Sequence, residues 1–367
     1  MNTSHLEISR SALLHNVRAV KKHLGLQSRI FAVVKGNAYG HGQKEVVTIL
    51  HKEKAVAGFM VFEVGEALAV RKQTTKPIAV LAYTGTDTVM LNKAARANII
   101  LPILNLADAR RLSRAIKGTW QGQIKIDVGT GRLGLPAETA LKEIQTICQL
   151  PRLKVVGVFS HFADSENDDQ TFTRQQHQKW TNLLQQLDTA GLTFNFNHIA
   201  CTAAMVRHPE YHHGAVRLGL GLYGLEPYHG VPLKLKPVMQ WKSQVLQSRL
   251  IAAGESIGYS QTYKVTKPSQ LLTIPVGYYD GYDRKLSNKA HVIINGKKYP
   301  IAGRICMNVC MIIVPAKPLV QVRTEVIIVG RQGTVAISAD DLANTCQTIN
   351  YEITTRINPL LPRQIVT

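Results

Sequence analysis

Eight apolar, β-rich runs recur through the first two-thirds of the chain: Phe31–Lys35, Gly58–Phe62, Ile78–Tyr83, Ile99–Leu104, Gln123–Asp127, Val155–His161, Phe194–Ala200 and Ala215–Tyr223. Segments of helical character separate most of them, such as Gly65–Lys72 and Thr173–Leu187, where apolar residues fall at helical spacing. Parallel strands need crossover helices, and eight such units can close on themselves and leave no sheet edge. The pattern therefore predicts an α/β fold of the (β/α)8 barrel type. A doubly wound open sheet is the alternative that the same alternation permits.

From about Leu233 the alternation ends. Met239, Trp241, Val245 and Leu250 read at period two, and Val292–Lys298 turns at Asn295-Gly296, a strong hairpin signal. Ser338-Ala339-Asp340-Asp341 reads as a helix N-cap with an acid at the third helical position, opening a helix through Ala343 and Cys346. The expected organisation is a TIM-like barrel over residues 1–232, then a mostly antiparallel β-domain over 233–367. Residues 1–10, through His5–Ile8, could add a strand to the second domain.

Composition narrows the function classes. The chain of 367 residues is 45% hydrophobic and 19% charged, enough to bury large cores. Its net charge of +20 is spread in singles and pairs such as Lys21-Lys22 and Lys297-Lys298, with no basic block, so no nucleic-acid partner is expected. No apolar run approaches the ~20 residues that span a bilayer, and Met1–Arg10 has no signal-peptide pattern. No membrane partner and a cytoplasmic location are expected. Five scattered cysteines without C-x-x-C spacing read as reduced thiols, with no metal site.

The candidate chemistry gathers where strands end, as it does in barrels of this class. Phe31–Val34 runs into Lys35 and then Gly36-Asn37-Ala38-Tyr39-Gly40. A lysine closing an apolar strand is either a snorkelling side chain or a desolvated amine able to attack a carbonyl and form a Schiff base. Arg132 follows the fifth run, His161 ends the sixth, Thr202 follows the seventh and Arg217 lies inside the eighth. A loop arginine, a core histidine and a helix N-cap are the plain readings of the first three. Arg217, set among Val216, Leu218 and Leu220, must be paired once buried because it cannot shed its proton. Gly219 and Gly221 leave the backbone beside it bare, as an approaching phosphate would require.

These stretches resemble the alanine racemases over nearly the whole barrel. The resemblance implies pyridoxal 5'-phosphate held as an internal aldimine on Lys35, with Arg217 donating to the pyridine nitrogen and His161 bonded to Arg217. It implies that Arg132 holds the phenolic oxygen and the substrate. Thr202, with the amides of Gly219 and Leu220, and the tyrosines Tyr39 and Tyr351 would meet the phosphate. Lys125 matches a lysine that is carbamylated in some members and orients the arginine. In the second domain Tyr259 matches the second acid-base, entering from the partner subunit of a homodimer. Met307 and Tyr278 match substrate-pocket and entrance residues.

The implied activity is two-base interconversion of L- and D-alanine, supplying D-alanine for peptidoglycan. A tyrosine base needs cations to lower its pKa, and Arg217 and His161 are the candidates. Three positions depart from the family pattern: Thr130 for methionine, Thr202 for serine and Asn308 for aspartate. The alternatives are a serine or broad-specificity racemase and a non-catalytic pyridoxal-phosphate carrier. A basic amino-acid decarboxylase would want a carboxylate where Arg217 stands, and the carriers lack a β-domain with its tyrosine.

Overall fold

The computed structural model describes residues 3–24, 28–228 and 230–367. Met1 and Asn2, part of the opening segment expected to join the second domain, lie outside them. The chain divides into two compact units, Leu13–Ala38 with Val46–Lys236, and Met1–Ala12 with Tyr39–Glu45 and Pro237–Thr367.

The first unit is the barrel. Its parallel strands run in the order Ala215–Leu218, Arg29–Val33, Val56–Glu63, Ile78–Tyr83, Ile99–Ile103, Trp120–Asp127 and Leu153–Phe159. The expected seventh strand, Phe194–Ala200, is reduced to a bridge between Phe159 and His198. The stave is nonetheless filled. On one side His198 exchanges backbone hydrogen bonds with Val158 and Ser160; on the other, Gly214 and Arg217 donate to the carbonyls of Asn197 and Ala200. Gly157 makes this closure possible, because a Cβ there would lie 1.9 Å from the Phe196 carbonyl oxygen. Ile30, Ala32, Phe59, Ile100, Ile124 and Val158 are buried in this unit among many similar side chains.

The eighth run is shorter than expected, its strand ending at Leu218 before a 3₁₀ turn over Leu220–Tyr223. The first strand likewise stops at Val33, two residues before Lys35. Helices expected from periodicity stand at Val64–Arg71 and Thr171–Thr189.

The second unit is strand-rich. His5–Ser9 pairs antiparallel with Met239–Gln244 and parallel with Arg363–Val366. Met239–Gln244 continues the sheet to Glu325–Gln332, His291–Ile294 and Lys297–Pro300. The hairpin at Asn295-Gly296 places both turn residues at positive φ, 49° and 73°, as a two-residue turn of this hand requires. Three further strands, Gln247–Ile251, Ser269–Ile274 and Cys310–Pro315, enclose Ile251, Leu271 and Ile313 in a small core. Ser338 and Asp341 form a reciprocal capping box on the helix Ala339–Cys346.

Candidate active site

Lys35 opens a turn of unusual hand. Gly36, Asn37, Ala38 and Tyr39 all have φ between 52° and 59°. Three of these are not glycine, and left-handed backbone costs such residues roughly 1–2 kcal/mol each. The turn is held by the Ala38 amide donating to the Val34 carbonyl and by the Gly36 amide donating to Glu66 Oε1 at 2.7 Å. Upstream, the buried Tyr223 hydroxyl donates to the Val33 carbonyl at 2.7 Å. Burial lowers the Lys35 pKa, the charges of Arg132 and Arg217 lower it further, and Glu66 opposes them.

Arg217 is the most constrained group of the site. Its Nη1 donates to His198 Nδ1 at 2.7 Å, and its Nη2 donates to His161 Nδ1 at 2.8 Å and to the Ile199 carbonyl at 2.7 Å. A guanidinium only donates, so both Nδ1 atoms accept and both imidazoles are neutral with the proton on Nε2. His198 Nε2 then donates to Gln123 Oε1 at 2.9 Å, and Gln123 Nε2 donates to the Val80 carbonyl at 2.7 Å. Burial first and the Arg217 charge second hold both histidines well below their usual pKa. His161, expected among the cations of the site, therefore carries no charge; the positive field comes from the arginines.

Two further parts surround this centre. Asp127 accepts from the amides of Gly129, Thr130 and Gly131 at 2.8–3.0 Å, folding the loop that carries the exposed Arg132. Thr130 adds a bond from its hydroxyl to the His161 carbonyl at 2.9 Å, which the methionine usual at this position could not make. Thr202 is the first residue of the helix Thr202–Arg207, with Cys201 in the cap position, so the N-cap reading does not hold. Its hydroxyl instead accepts from the amides of Gly219 and Gly221 at 3.2 and 3.4 Å. A Cβ on Gly221 would lie 2.8 Å from Thr202 Cγ2, so a side chain there would have to displace Thr202. Lys125 is buried, its nitrogen 4.7 Å from the Phe159 ring centre, and burial together with Arg217 and Arg132 lowers its pKa strongly.

The barrel unit thus brings together Lys35, Lys125, Arg132, His161, Thr202, Arg217, Gly219 and Leu220. Tyr39, Tyr259, Tyr278, Met307 and Tyr351 belong to the other unit. There the Tyr39 and Tyr351 rings lie 5.9 Å apart. The amides of Tyr278 and Tyr279 donate to the carbonyls of Cys306 and Met307, an approach that Gly277 permits, since a Cβ there would meet both carbonyls at 2.3 Å. Tyr259 stands on a 3₁₀ turn after Gly258 and is 69% exposed; Met307 is 54% exposed.

Sequence reading missed His198, Gln123 and Glu66. Gln123 lies in a strand that also carries Gln121, Lys125 and Asp127, so nothing in its local sequence marks it as buried, where its amide needs partners. His198 sat in a run read only as a strand, and Glu66 in a segment read only as a helix. Among the described residues, no three His, Cys, Asp or Glu side chains gather at metal-ligand spacing, and no helix is long and apolar enough to cross a membrane.

Comparison with known proteins agrees with this geometry. A family model described as alanine racemase, N-terminal domain, matches residues 8–227, and one for the C-terminal domain matches residues 238–365. An alanine racemase of Desulfosudis oleivorans is 37% identical over 97% of this chain and 95% of its own. The structure of a Bacillus anthracis alanine racemase with bound L-Ala-P superposes with a TM-score of 0.92 at 31% identity, covering 100% of this chain and 96% of that one. A histidine racemase of Leuconostoc mesenteroides superposes with a TM-score of 0.91 at 28% identity, covering 100% and 98%. The half-buried lysine after the barrel strand Arg29–Val33, the arginine held by two neutral histidines and the two-part match from end to end place the chain in the alanine racemase family, whose members are isomerases that depend on pyridoxal phosphate.

Proposed function

We propose that this chain interconverts L- and D-alanine with pyridoxal 5'-phosphate, using Lys35 and Tyr259 as bases on opposite faces. The observation that carries the reading is Arg217. A ring nitrogen facing a guanidinium that cannot give up its proton stays unprotonated, which suits racemisation; decarboxylation would call for a carboxylate there. The other donors fit the same cofactor. Lys35 has an amine of lowered pKa for its carbonyl carbon, and the Thr202 hydroxyl, which accepts from the Gly219 amide and still has its own proton to donate, would meet the phosphate together with the Gly219 and Leu220 amides. When bound, the cofactor supplies the electron sink that lets a proton leave the α-carbon.

The protein's own part is positioning and proton transfer. Arg132, on the loop pinned by Asp127 and Thr130, orients the substrate carboxylate and the phenolic oxygen of the cofactor. Lys125, desolvated among cations, is an amine that carbon dioxide could convert to a carbamate, whose negative charge would then pair with Arg132. Lys35 Nζ moves the proton on one face, and Tyr259 Oη moves it on the other. The exposure of Tyr259, Tyr278 and Met307 in a single chain supports their serving a partner's site in a homodimer. Tyr39 and Tyr351 would meet the phosphate. Five free cysteines suit a reducing cytoplasm, and D-alanine would be the product supplied to peptidoglycan.

The test is to incubate purified protein with L-alanine, with and without added cofactor, and follow D-alanine. Cofactor-dependent racemisation is expected, with Lys35→Ala losing both activity and cofactor absorbance. An active Lys35→Ala variant would refute the assignment. The likeness to a histidine racemase favours a second reading, a broader specificity on the same scaffold. Steady-state rates on alanine, serine and histidine separate the two.

A further inference from the structure

We infer that Glu66 is a positioning residue for Lys35, its carboxylate fastening the left-handed turn that aims the lysine amine. The carboxylate has two jobs in two parts of the barrel. Oε1 accepts from the Gly36 amide at 2.7 Å, the peptide unit directly after Lys35, and Oε2 accepts from the Phe62 amide at 2.8 Å, at the end of the neighbouring strand. Glu66 lies in the first turn of the helix Val64–Arg71, whose cap residue Glu63 makes no side-chain capping bond. A glutamate at that helical position commonly reaches back to the amides that precede its helix. The bond to Gly36 goes beyond that habit, since it crosses to a different strand.

The turn needs such a fastening. Successive positive φ values at Asn37, Ala38 and Tyr39 persist only where surrounding bonds over-determine them. Lys35 sits at its first residue, so the path of the Cα–Cβ bond depends on how the Gly36 peptide is held. Electrostatics points the same way. The arginines 132 and 217 both disfavour charge on Lys35, and Glu66 is the group that opposes them. Removing the carboxylate charge therefore lowers the Lys35 pKa further, and loosening the Gly36 bond lets the amine drift from its working geometry. A drift of 1 Å in a reacting group costs on the order of a hundredfold in rate.

This inference rests on Lys35 being the cofactor lysine, and the experiment separates the two. Holoenzyme is first reduced with borohydride and the cofactor located by peptide mass spectrometry. Label on a lysine other than Lys35 overturns both the functional reading and this inference. With label on Lys35, Glu66→Gln holoenzyme is compared with the unaltered protein. It keeps the shape and one acceptor oxygen without the charge. The expected result is a kcat lowered about tenfold or more with KM little changed. The pH limb belonging to the Lys35 amine moves to lower pH, and the peptide spanning Gly36 loses hydrogen-exchange protection. Glu66→Asp, which keeps the charge with a shorter reach, is expected to hold the limb near its original position. A Glu66→Gln protein with unchanged pH limb and unchanged protection at Gly36 would reduce Glu66 to a helix-capping residue, as would a Glu66→Asp limb displaced as far as that of Glu66→Gln.

Discussion

At the residue scale, the chemistry of this site follows from one cation that cannot be discharged. Arg217, buried to 5% exposure, dictates the tautomers of His161 and His198 and thereby the orientation of Gln123. Neutral buried histidines carry a cost in acid. In the unfolded chain they take up a proton near pH 6.5, whereas in the fold they resist it, His161 and His198 through burial and Arg217. His213 is pushed down to about 4 by burial and by His177, whose Nε2 lies 3.3 Å from its own. Because the folded-state pKa is the lower one, the unfolded state binds more protons below pH 6.5. The stability these residues confer is thus complete above that pH and drains as it falls toward 4. Each such histidine is worth about 1.4 kcal/mol per pH unit inside that window. The urea midpoint should fall steeply between pH 7 and pH 5; a flat profile would mean that the three are charged in the fold. Arg217 itself was legible, since an arginine among apolar neighbours has to be satisfied. His198, its second partner, was not: a lone histidine in a β-rich run is indistinguishable from a packed one until the fold brings up the guanidinium.

At the scale of elements, the sequence signal was strongest where periodicity and turn chemistry coincide and weakest where long-range closure decides. Asn295-Gly296 and Ser338 with Asp341 each formed the element that their local chemistry demands. The Phe194–Ala200 run has strand composition, yet its neighbours leave it room for only isolated backbone bonds, a property of barrel closure invisible in the run itself. Leu250 shows the same limit. Grouped with Met239, Trp241 and Val245, it falls out of their period-two phase and is 64% exposed, while the in-phase Ile251 is buried. The turn after Lys35 carries left-handed backbone on Asn37, Ala38 and Tyr39, between Gly36 and Gly40, where residue type does not announce it. Closure also makes a sharp prediction. In Gly157→Ala the new methyl would meet the Phe196 carbonyl at 1.9 Å, where only backbone movement relieves the clash. A loss of about 3 kcal/mol in unfolding free energy is expected by urea titration, with cofactor affinity falling as the Arg217 segment shifts. A loss below about 1 kcal/mol would show that the seventh stave is not rigidly held.

At the scale of the whole molecule, the family assignment rests on matches that span both units, and the mechanism rests on what each unit supplies. The barrel carries a lysine of lowered pKa and a set of neutral and cationic donors; the strand-rich unit carries Tyr259, 69% exposed. The central claim is that racemisation needs one base from each. It is tested most directly by α-proton exchange in deuterated water, measured separately from L- and from D-alanine with Tyr259→Phe holoenzyme. The variant is expected to retain its cofactor, to exchange the proton of one enantiomer and to fail to exchange that of the other. Equal exchange from both enantiomers, with racemisation intact, would contradict it.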